Sequence, residues 1–338
     1  EHLTADTRGR KLTMADNMTS DEVHYLCDTN FPTFTGTLFI LIFILSVIGN
    51  SLLLCVLFIY EGLKSITNIF ILNLACSDLI FTITLPFWAV GHLHHWVFED
   101  FVCKFMTAAF FVGLYSSVIL LTAMTVARFI RVVLPNWTSN RARRKKCAIG
   151  ACVAAWIISI SASLSDAVKV QVEHWDNKNY CYNKSDENLG RYLQVSLLFF
   201  LPFAIIIFCY SAILKTVLQG LSRKKQKTVA MLLCIVAVFF ICWGPYHIML
   251  LIKALNTNKD CNVLKRLEVA YHICEMLAYF HCCMNPLLYM ISKKMRKHLL
   301  NLMHCENVRR KNRERDTRQD VAFTAQRSPD SPHSQSLN

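Results

Sequence analysis

The sequence predicts an all-α integral membrane protein: a bundle of seven transmembrane helices followed by a short amphipathic helix on the cytoplasmic side. Hydrophobic residues make up 54% of the 338 residues and charged residues only 17%, against about 25% in soluble domains. The apolar residues are gathered into long stretches, and most basic residues lie between or after them. A soluble bundle with buried helices is the alternative, but seven such stretches are difficult to bury in one core.

Each of the seven stretches can cross the hydrocarbon core of a bilayer, which takes about 20 apolar residues. The first contains no charged residue, and the fourth and seventh are the least hydrophobic. The predicted spans are residues 37–60, 68–90, 105–130, 147–167, 192–218, 229–255 and 267–291.

The basic residues predict the orientation in the membrane. Two loops, 128–147 and 215–227, and the tail after residue 291 hold most of the 36 Lys and Arg residues. Such loops stay in the cytoplasm, so we expect a plasma membrane protein with an external N-terminus. Nucleic-acid binding is the competing interpretation of the net charge of +13, but topology accounts for that charge. The basic residues then face anionic membrane lipid and a cytoplasmic partner.

The external N-terminal tail is acidic. After Met14 it carries four acidic residues, and no Lys or Arg follows before Lys64. This charge suits a basic ligand through long-range attraction, although a merely solvated, disordered tail has the same composition. The predicted segments are the external tail (1–35), the bundle (36–291), the juxtamembrane amphipathic helix (292–305) and a disordered cytoplasmic tail (306–338).

Several positions match modification signals. Asn17 and Asn183 begin glycosylation sequons on the predicted external side. Tyr25 lies among acidic residues and is a candidate for sulfation. Cys305 ends the amphipathic stretch and is a candidate for palmitoylation.

Most of the 15 cysteines lie inside the spans, where they pack as small apolar residues. None has the His/Cys spacing of a zinc site, so we expect no such metal. Four cysteines lie on the predicted external side of the membrane, and an even set in an oxidising compartment predicts two disulfides with three pairings open. These four are Cys27, Cys103, Cys181 and Cys261.

Polar groups within the spans are candidate functional positions, because a charge at mid-span costs about 2.5–3.5 kcal/mol on the insertion scale. Asp78 lies near the middle of the second span without a Lys or Arg nearby. A monovalent cation site and a hydrogen-bonded clamp between helices are both open for it. Prolines interrupt four spans, at Pro86, Pro202, Pro245 and Pro286, which favours a bundle able to rearrange.

A set of motifs, each on its own span, resembles the rhodopsin-class G-protein-coupled receptors over about residues 30–305. The motifs are Asn50, Asp78, Arg128, Trp156, Pro202, Cys242-Trp243-Gly244-Pro245 and Asn285-Pro286-Leu287-Leu288-Tyr289. The class implies a receptor and not an enzyme. An intramembrane enzyme would need a set of catalytic groups. The sequence has no Gly-x-Ser-x-Gly motif, no His-Glu-x-x-His motif and no pair of intramembrane aspartates. A transporter would show internal repeats, and an opsin would carry a lysine in the seventh span.

Finer features resemble the chemokine receptors. They are Thr84-x-Pro86, Trp88, Glu275, the four external cysteines and the run His281 to Pro286. The runs at residues 60–74 and 277–283 are most similar to the lymphotactin (XC) subfamily. A peptide receptor outside the chemokine group is the alternative, against which the cysteines and Thr84-x-Pro86 count.

The resemblance implies the disulfides and the ligand site. Cys103 would pair with Cys181, and Cys27 with Cys261. The acidic tail, with Tyr25, would hold the basic body of a chemokine, whose N-terminus would enter the bundle and meet Glu275. The implied aromatic contacts, each with a purely packing role as its alternative, are Trp88, Phe110, Tyr115 and Tyr246.

The resemblance also implies how a signal crosses the membrane. Trp243 would sense the ligand above the kink at Pro245, and Pro202, Val118 and Phe239 would form a packing switch. Asp78, Ser117 and Asn285 would hold an allosteric sodium ion, the one cofactor expected. The resemblance implies coupling to a Gi-class G protein, with leukocyte chemotaxis as the response. The residues that would line the cleft for the G protein are Arg128, Tyr210 and Tyr289.

One motif departs from the family pattern. The usual Asp-Arg-Tyr at the end of the third span is Ala127-Arg128-Phe129 here. The substitution leaves two outcomes open: normal Gi coupling with a less restrained Arg128, or an atypical receptor that scavenges chemokine and recruits arrestin without G-protein coupling. The cytoplasmic serines resemble receptor-kinase sites that recruit arrestin once phosphorylated. They are Ser328, Ser331, Ser334 and Ser336.

Overall fold

The structure is a computed structural model that describes residues 32–63, 65–135, 140–175, 177–183, 199–218, 223–255, 260–290, 297–298 and 300–301. The chain divides into two units, 1–289 and 290–338, and nearly all described residues belong to the first. Helix α1 (Pro32–Val56) continues into a π-helical turn (Leu57–Glu61). The following elements are α2 (Ile66–Leu93), α3 (Asp100–Val133), α4 (Arg141–Ala167), β1 (Val170–Trp175), β2 (Lys178–Asn183), α5 (Leu201–Leu218), α6 (Arg223–Leu255), α7 (Cys261–Tyr279) and α8 (His281–Met290).

The helices have the lengths and apolar surfaces of membrane spans. Within the described ranges, five are long and apolar enough to cross a membrane: α1 with its π-helical turn, α2, α3, α4 and, in α6, Val236–Lys253. Helix α5 is a shorter apolar helix, and α7 and α8 share the last predicted span, separated by Phe280. The predicted helical membrane bundle is therefore confirmed.

Two local features differ from the sequence-based expectation. Arg141 to Lys146, expected in a loop, form the first turns of α4, because the side chain of Asn140 caps them by accepting hydrogen bonds from the backbone of Ala142 and Arg143. An antiparallel hairpin of β1 and β2 follows α4 and was not predicted. Asn177 takes a positive φ of 58° in its turn, a conformation that asparagine tolerates.

Helix α1 packs on the proline of α8. A Cβ added to Gly49 would lie 2.8 Å from Pro286 Cγ, so the glycine permits this approach. Pro286 has no N–H, which leaves the carbonyl of Cys282, four residues earlier, without its helical donor. Asn50 Nδ2 donates to that carbonyl at 3.0 Å. Asn50 therefore compensates, from α1, for the bond that the proline removes.

Helices α2 and α3 approach each other closely at Gly113. A Cβ there would lie within 2.9 Å of three atoms of Phe81, including its backbone N and Cα. The carbonyl of Gly113 accepts a hydrogen bond of 2.8 Å from Ser77, whose hydroxyl also lies 2.9 Å from that of Ser117. This contact places the polar residues of α2 and α3 beside one another in the middle of the bundle.

Candidate functional site

The hairpin is attached to the N-terminal end of α3. A disulfide joins Cys103 on α3 to Cys181 on β2, the pairing that the resemblance implies. The backbone N–H of Val172 donates to Asp100 Oδ1 at 2.9 Å. Cys103 also packs with Trp96 and Val170 in a buried cluster. The hairpin is thus held in one place beside the end of α2 and the start of α3.

Glu275, in the last two turns of α7, is a nearly buried carboxylate with 8% of its surface exposed. One oxygen accepts a 3.2 Å hydrogen bond from the hydroxyl of Tyr279, and the other lies 3.1 Å from His272 Nδ1. The opposite ring nitrogen of His272 lies 3.2 Å from Glu268, which pairs with Lys253 of α6 at 2.9 Å. Acidic and basic side chains therefore alternate along α7 and end on α6. Because its partners orient it, Glu275 presents a fixed acceptor for a cationic group.

Aromatic rings connect Glu275 to the predicted ligand contacts on α2 and α3. The ring centroid of Tyr279 lies 5.4 Å from that of Phe110 and 5.3 Å from that of Phe81. Phe110 is in turn 6.4 Å from Trp88. The structure brings Trp88, Phe110 and Glu275 together through Tyr279, and these four residues are called the outer site below.

The two other predicted aromatic contacts have different surroundings. Tyr115 is 3% exposed, and its hydroxyl donates to Asp166 on α4 at 2.6 Å. Its hydroxyl therefore serves the packing of α3 on α4. The hydroxyl of Tyr246 lies 3.3 Å from that of Tyr271, and its ring lies 5.6 Å from Trp243. A ligand contact at either tyrosine stays a prediction.

Trp243 lies fully buried beneath the outer site. Its ring centroid is 6.4 Å from Tyr279, 5.2 Å from His281 and 6.2 Å from Phe239. Pro245 lies two residues further along α6. Trp243 consequently contacts both Tyr279, whose hydroxyl binds Glu275, and His281, which lies near Asp78. The predicted switch residues Pro202, Val118 and Phe239 are buried as well.

Asp78 is completely buried where α2, α3 and α8 meet. Its Oδ2 accepts a hydrogen bond of 2.7 Å from Asn285, and its Oδ1 lies 3.4 Å from the hydroxyl of Ser117. His281 Nε2 lies 3.7 Å from the same Oδ1, while its Nδ1 donates to the carbonyl of Ala278. The three residues predicted to hold sodium are therefore adjacent, with His281 as a fourth member.

The oxygen atoms around Asp78 fit a small monovalent cation. The carboxylate of Asp78 and the hydroxyl of Ser117, which lies 2.9 Å from the hydroxyl of Ser77, are hard oxygen ligands of the kind that such ions prefer. Among the described residues, His281 Nε2 has no hydrogen-bond partner. The same part of the chain holds no group of three or more His, Cys, Asp or Glu side chains suited to a metal ion.

Arg128 lies near the C-terminal end of α3, which is the cytoplasmic end in the predicted orientation. Its Nη2 donates a 2.5 Å hydrogen bond to Oγ1 of Thr67, on α2. The two other predicted cleft residues, Tyr210 on α5 and Tyr289 on α8, are both buried. The structure thus gives Arg128 a partner, Thr67, that was not among the predicted residues.

Some predicted positions lie outside the described residues. Cys261 begins α7 without a described side chain, so its pairing with Cys27 stays a prediction. Asn183 ends β2, and the predicted amphipathic helix (292–305) is described, as helical, only at 297–298 and 300–301. The remaining positions outside are Asn17, Tyr25, Cys27, Cys305, Ser328, Ser331, Ser334 and Ser336.

Sequence reasoning missed several members of these sites. Glu268, His272 and Glu275 follow one another at spacings of four and three, which places them on one face of a helix and could have been noticed. His281 was read only as part of a motif. Thr67 has no local signal, because its partner lies 61 residues away.

Comparison with known proteins gives a consistent result. Residues 49–289 match the family model of the 7 transmembrane receptor (rhodopsin family). Chemokine XC receptor 1 of Homo sapiens is 39% identical over 275 residues, which cover 80% of this chain and 81% of that receptor. C-C chemokine receptor type 3 of Cavia porcellus is 34% identical, covering 80% of this chain and 78% of that protein. The G-protein coupled receptor E1 of Equine herpesvirus 2 is 32% identical, covering 79% and 73% respectively.

Proposed function

Because the chain belongs to the rhodopsin family of seven-transmembrane receptors, and within it to the chemokine receptors, we propose that it binds a lymphotactin-type chemokine and signals through Gi-class G proteins. It is a multi-pass plasma membrane protein and a receptor, not an enzyme. In the proposed orientation the N-terminus is external. Leukocyte chemotaxis is the response that such coupling would serve.

The observation that carries this proposal is the outer site. Glu275 is a nearly buried carboxylate, oriented by Tyr279 and His272 and surrounded by aromatic rings. An ammonium group that reached Glu275 would lose its bound water, but it would gain a hydrogen bond to a charged acceptor and contacts with aromatic faces. The free N-terminus of a chemokine carries such a group. The acidic external tail would hold the basic chemokine body, which would raise the effective concentration of the chemokine's N-terminus at the mouth of the bundle.

The proposed signal runs from the outer site to the cytoplasmic end through rings in contact. Tyr279 contacts Trp243, and Trp243 contacts Phe239 and His281. A ligand that moves Tyr279 would disturb this packing next to Pro245, where α6 lacks one backbone hydrogen bond. Outward movement of α6 would then open a cleft for the G protein. Efficacy depends on the ligand binding the open bundle more tightly than the closed one.

An allosteric sodium ion is the one cofactor proposed. Asp78, Ser117 and Ser77 would hold it, and Asn285 would orient the carboxylate. The ion would supply the positive charge that a buried carboxylate otherwise lacks. These residues connect α2, α3 and α8, so the filled site favours the closed bundle.

Other proposed partners act at the cytoplasmic side. Receptor kinases would phosphorylate the tail serines, and arrestin would bind the product. Anionic lipids would contact the exposed basic residues that begin α4, with about 1 kcal/mol for each charge near the surface. Those residues are Arg141, Arg143 and Lys146.

The second candidate is an atypical receptor that scavenges chemokine. Ala127 favours it, because the acid that normally accompanies Arg128 in this family is missing. Such a receptor would bind and internalise chemokine and recruit arrestin without suppressing cAMP.

Binding of a fluorescent lymphotactin-type chemokine to receptor-expressing cells tests the ligand assignment. We expect saturable binding that the unlabelled chemokine displaces and that removal of the chemokine's first residues weakens. Absence of binding at confirmed surface expression would contradict the assignment.

A further inference from the structure

Thr67 is the side chain on α2 that binds Arg128. The two residues, 61 positions apart, are joined by a hydrogen bond from Nη2 to Oγ1. We infer that Thr67 is a positioning residue that restrains Arg128 while no G protein is bound, and that it replaces the acid missing at Ala127. This inference rests on the proposed coupling to a G protein.

Arg128 needs an acceptor that its own helix does not provide. A guanidinium remains charged under all physiological conditions and has five N–H donors, so partial burial without acceptors is costly. Ala127 has no acceptor, and the ring of Phe129 packs 5.9 Å from that of Phe208. The sequence from residue 101 to 165 contains no Asp or Glu at all. The hydroxyl of Thr67 is therefore a substitute from a neighbouring helix.

The position of Thr67 is well fixed. It is the second residue of α2, and Asn68, the next residue, donates from Nδ2 to the carbonyl of Gly62 at 3.0 Å. This bond ties the start of α2 to the end of the first span. A hydroxyl held in this way can determine where the guanidinium lies.

The proposed mechanism makes the bond to Thr67 specific to the state without a bound G protein. In the proposed mechanism, Arg128 must turn toward a cleft lined by Tyr210 and Tyr289, and it cannot keep its bond to α2 there. The buried hydroxyl of Tyr289 has no hydrogen-bond partner in the described part of the chain, so it offers an acceptor to the released arginine. A contact present in only one of two states shifts their populations toward that state.

A neutral hydroxyl restrains an arginine less than a carboxylate does, since bonds between two charged groups are stronger. The receptor should therefore have a measurable basal activity, which restoring the acid with Ala127→Asp would lower. In that background Thr67 becomes redundant. The effects of the two substitutions should consequently be non-additive.

The test uses the full-length receptor in nanodiscs with purified Gi. Thr67→Val removes the hydroxyl at nearly constant volume, and Thr67→Ser keeps it. Thr122→Val is the matched control, because the hydroxyl of Thr122 binds only the carbonyl of Val118 on its own helix, at 2.8 Å. The two readouts are basal nucleotide exchange per receptor and the affinity for a lymphotactin-type chemokine without G protein.

We expect Thr67→Val to raise basal exchange about three- to tenfold, and chemokine affinity by a similar factor, because less free energy is needed to release Arg128. Thr67→Ser and Thr122→Val should match the wild type, and Ala127→Asp should suppress the rise. No change in either readout for Thr67→Val, or an equal rise for Thr122→Val, would overturn the inference. If Thr67→Val raises chemokine affinity while no variant activates Gi, the restraint stands and the proposed coupling fails.

Discussion

At the residue scale, the buried carboxylates are the groups whose surroundings are most informative. Glu275 has a histidine and a tyrosine as partners, whereas Asp78 has an asparagine, a serine and a more distant histidine. A carboxylate inside a membrane protein is costly without such partners. The two sites therefore carry separate expectations, one for the ligand and one for sodium.

Glu275→Gln should weaken chemokine potency about 10- to 100-fold, the effect of losing a hydrogen bond to a charged group worth about 1.5–3 kcal/mol. The amide keeps the shape of the side chain but cannot attract an ammonium group. Dose–response curves at matched surface expression measure the loss. Glu99→Gln, at an exposed position just before α3, is the control, and equal losses in both variants would contradict the assignment of Glu275.

Asp78→Asn should abolish the effect of sodium on ligand binding. In the wild type, replacing choline chloride by sodium chloride should lower chemokine affinity about fivefold or more, a typical coupling between two sites. Radioligand competition in the two salts measures this difference. Asp166→Asn changes another buried carboxylate, bound to Tyr115 on a different helix, and should retain the sodium effect.

At the element scale, close approaches determine how the helices pack. Gly113 lets α3 touch the backbone of Phe81 on α2, and the polar contacts around Asp78 depend on that approach. Gly113→Ala should destabilise the receptor by about 1–3 kcal/mol, because backbone must move to make room. Thermal denaturation in detergent measures this. Gly150→Ala, with no atom within 4 Å of the added Cβ, should not lower stability.

Helices could be predicted where one strong sequence signal, a long apolar run, is present. The first span was evident from a charge-free apolar run, and the structure has a helix there. The start of α4 was missed because Arg141 to Lys146 were assigned by charge, although Asn140 is a good N-cap. The hairpin was missed because its strands have six residues each, and its stability depends on a disulfide and on Asp100.

At the scale of the whole molecule, motifs in sequence order indicated the family before any contact was known. They indicated Asp78, Ser117 and Asn285 as one cluster, and the structure places them together. They could not reveal that Glu268 on α7 pairs with Lys253 on α6, or that Thr67 binds Arg128, because a motif does not specify which distant side chains meet. Contacts between distant segments depend on the packing of whole helices, which local patterns do not specify.

The most direct test of the whole account is signalling by the intact receptor in cells. Cells expressing it would be exposed to a chemokine panel that includes a lymphotactin-type ligand, with cAMP and arrestin recruitment recorded together. The account predicts that this ligand suppresses cAMP and recruits arrestin. Chemokine uptake and arrestin recruitment with unchanged cAMP would contradict Gi coupling and favour the scavenger, and silence across the panel at confirmed surface expression would contradict the proposed ligand class.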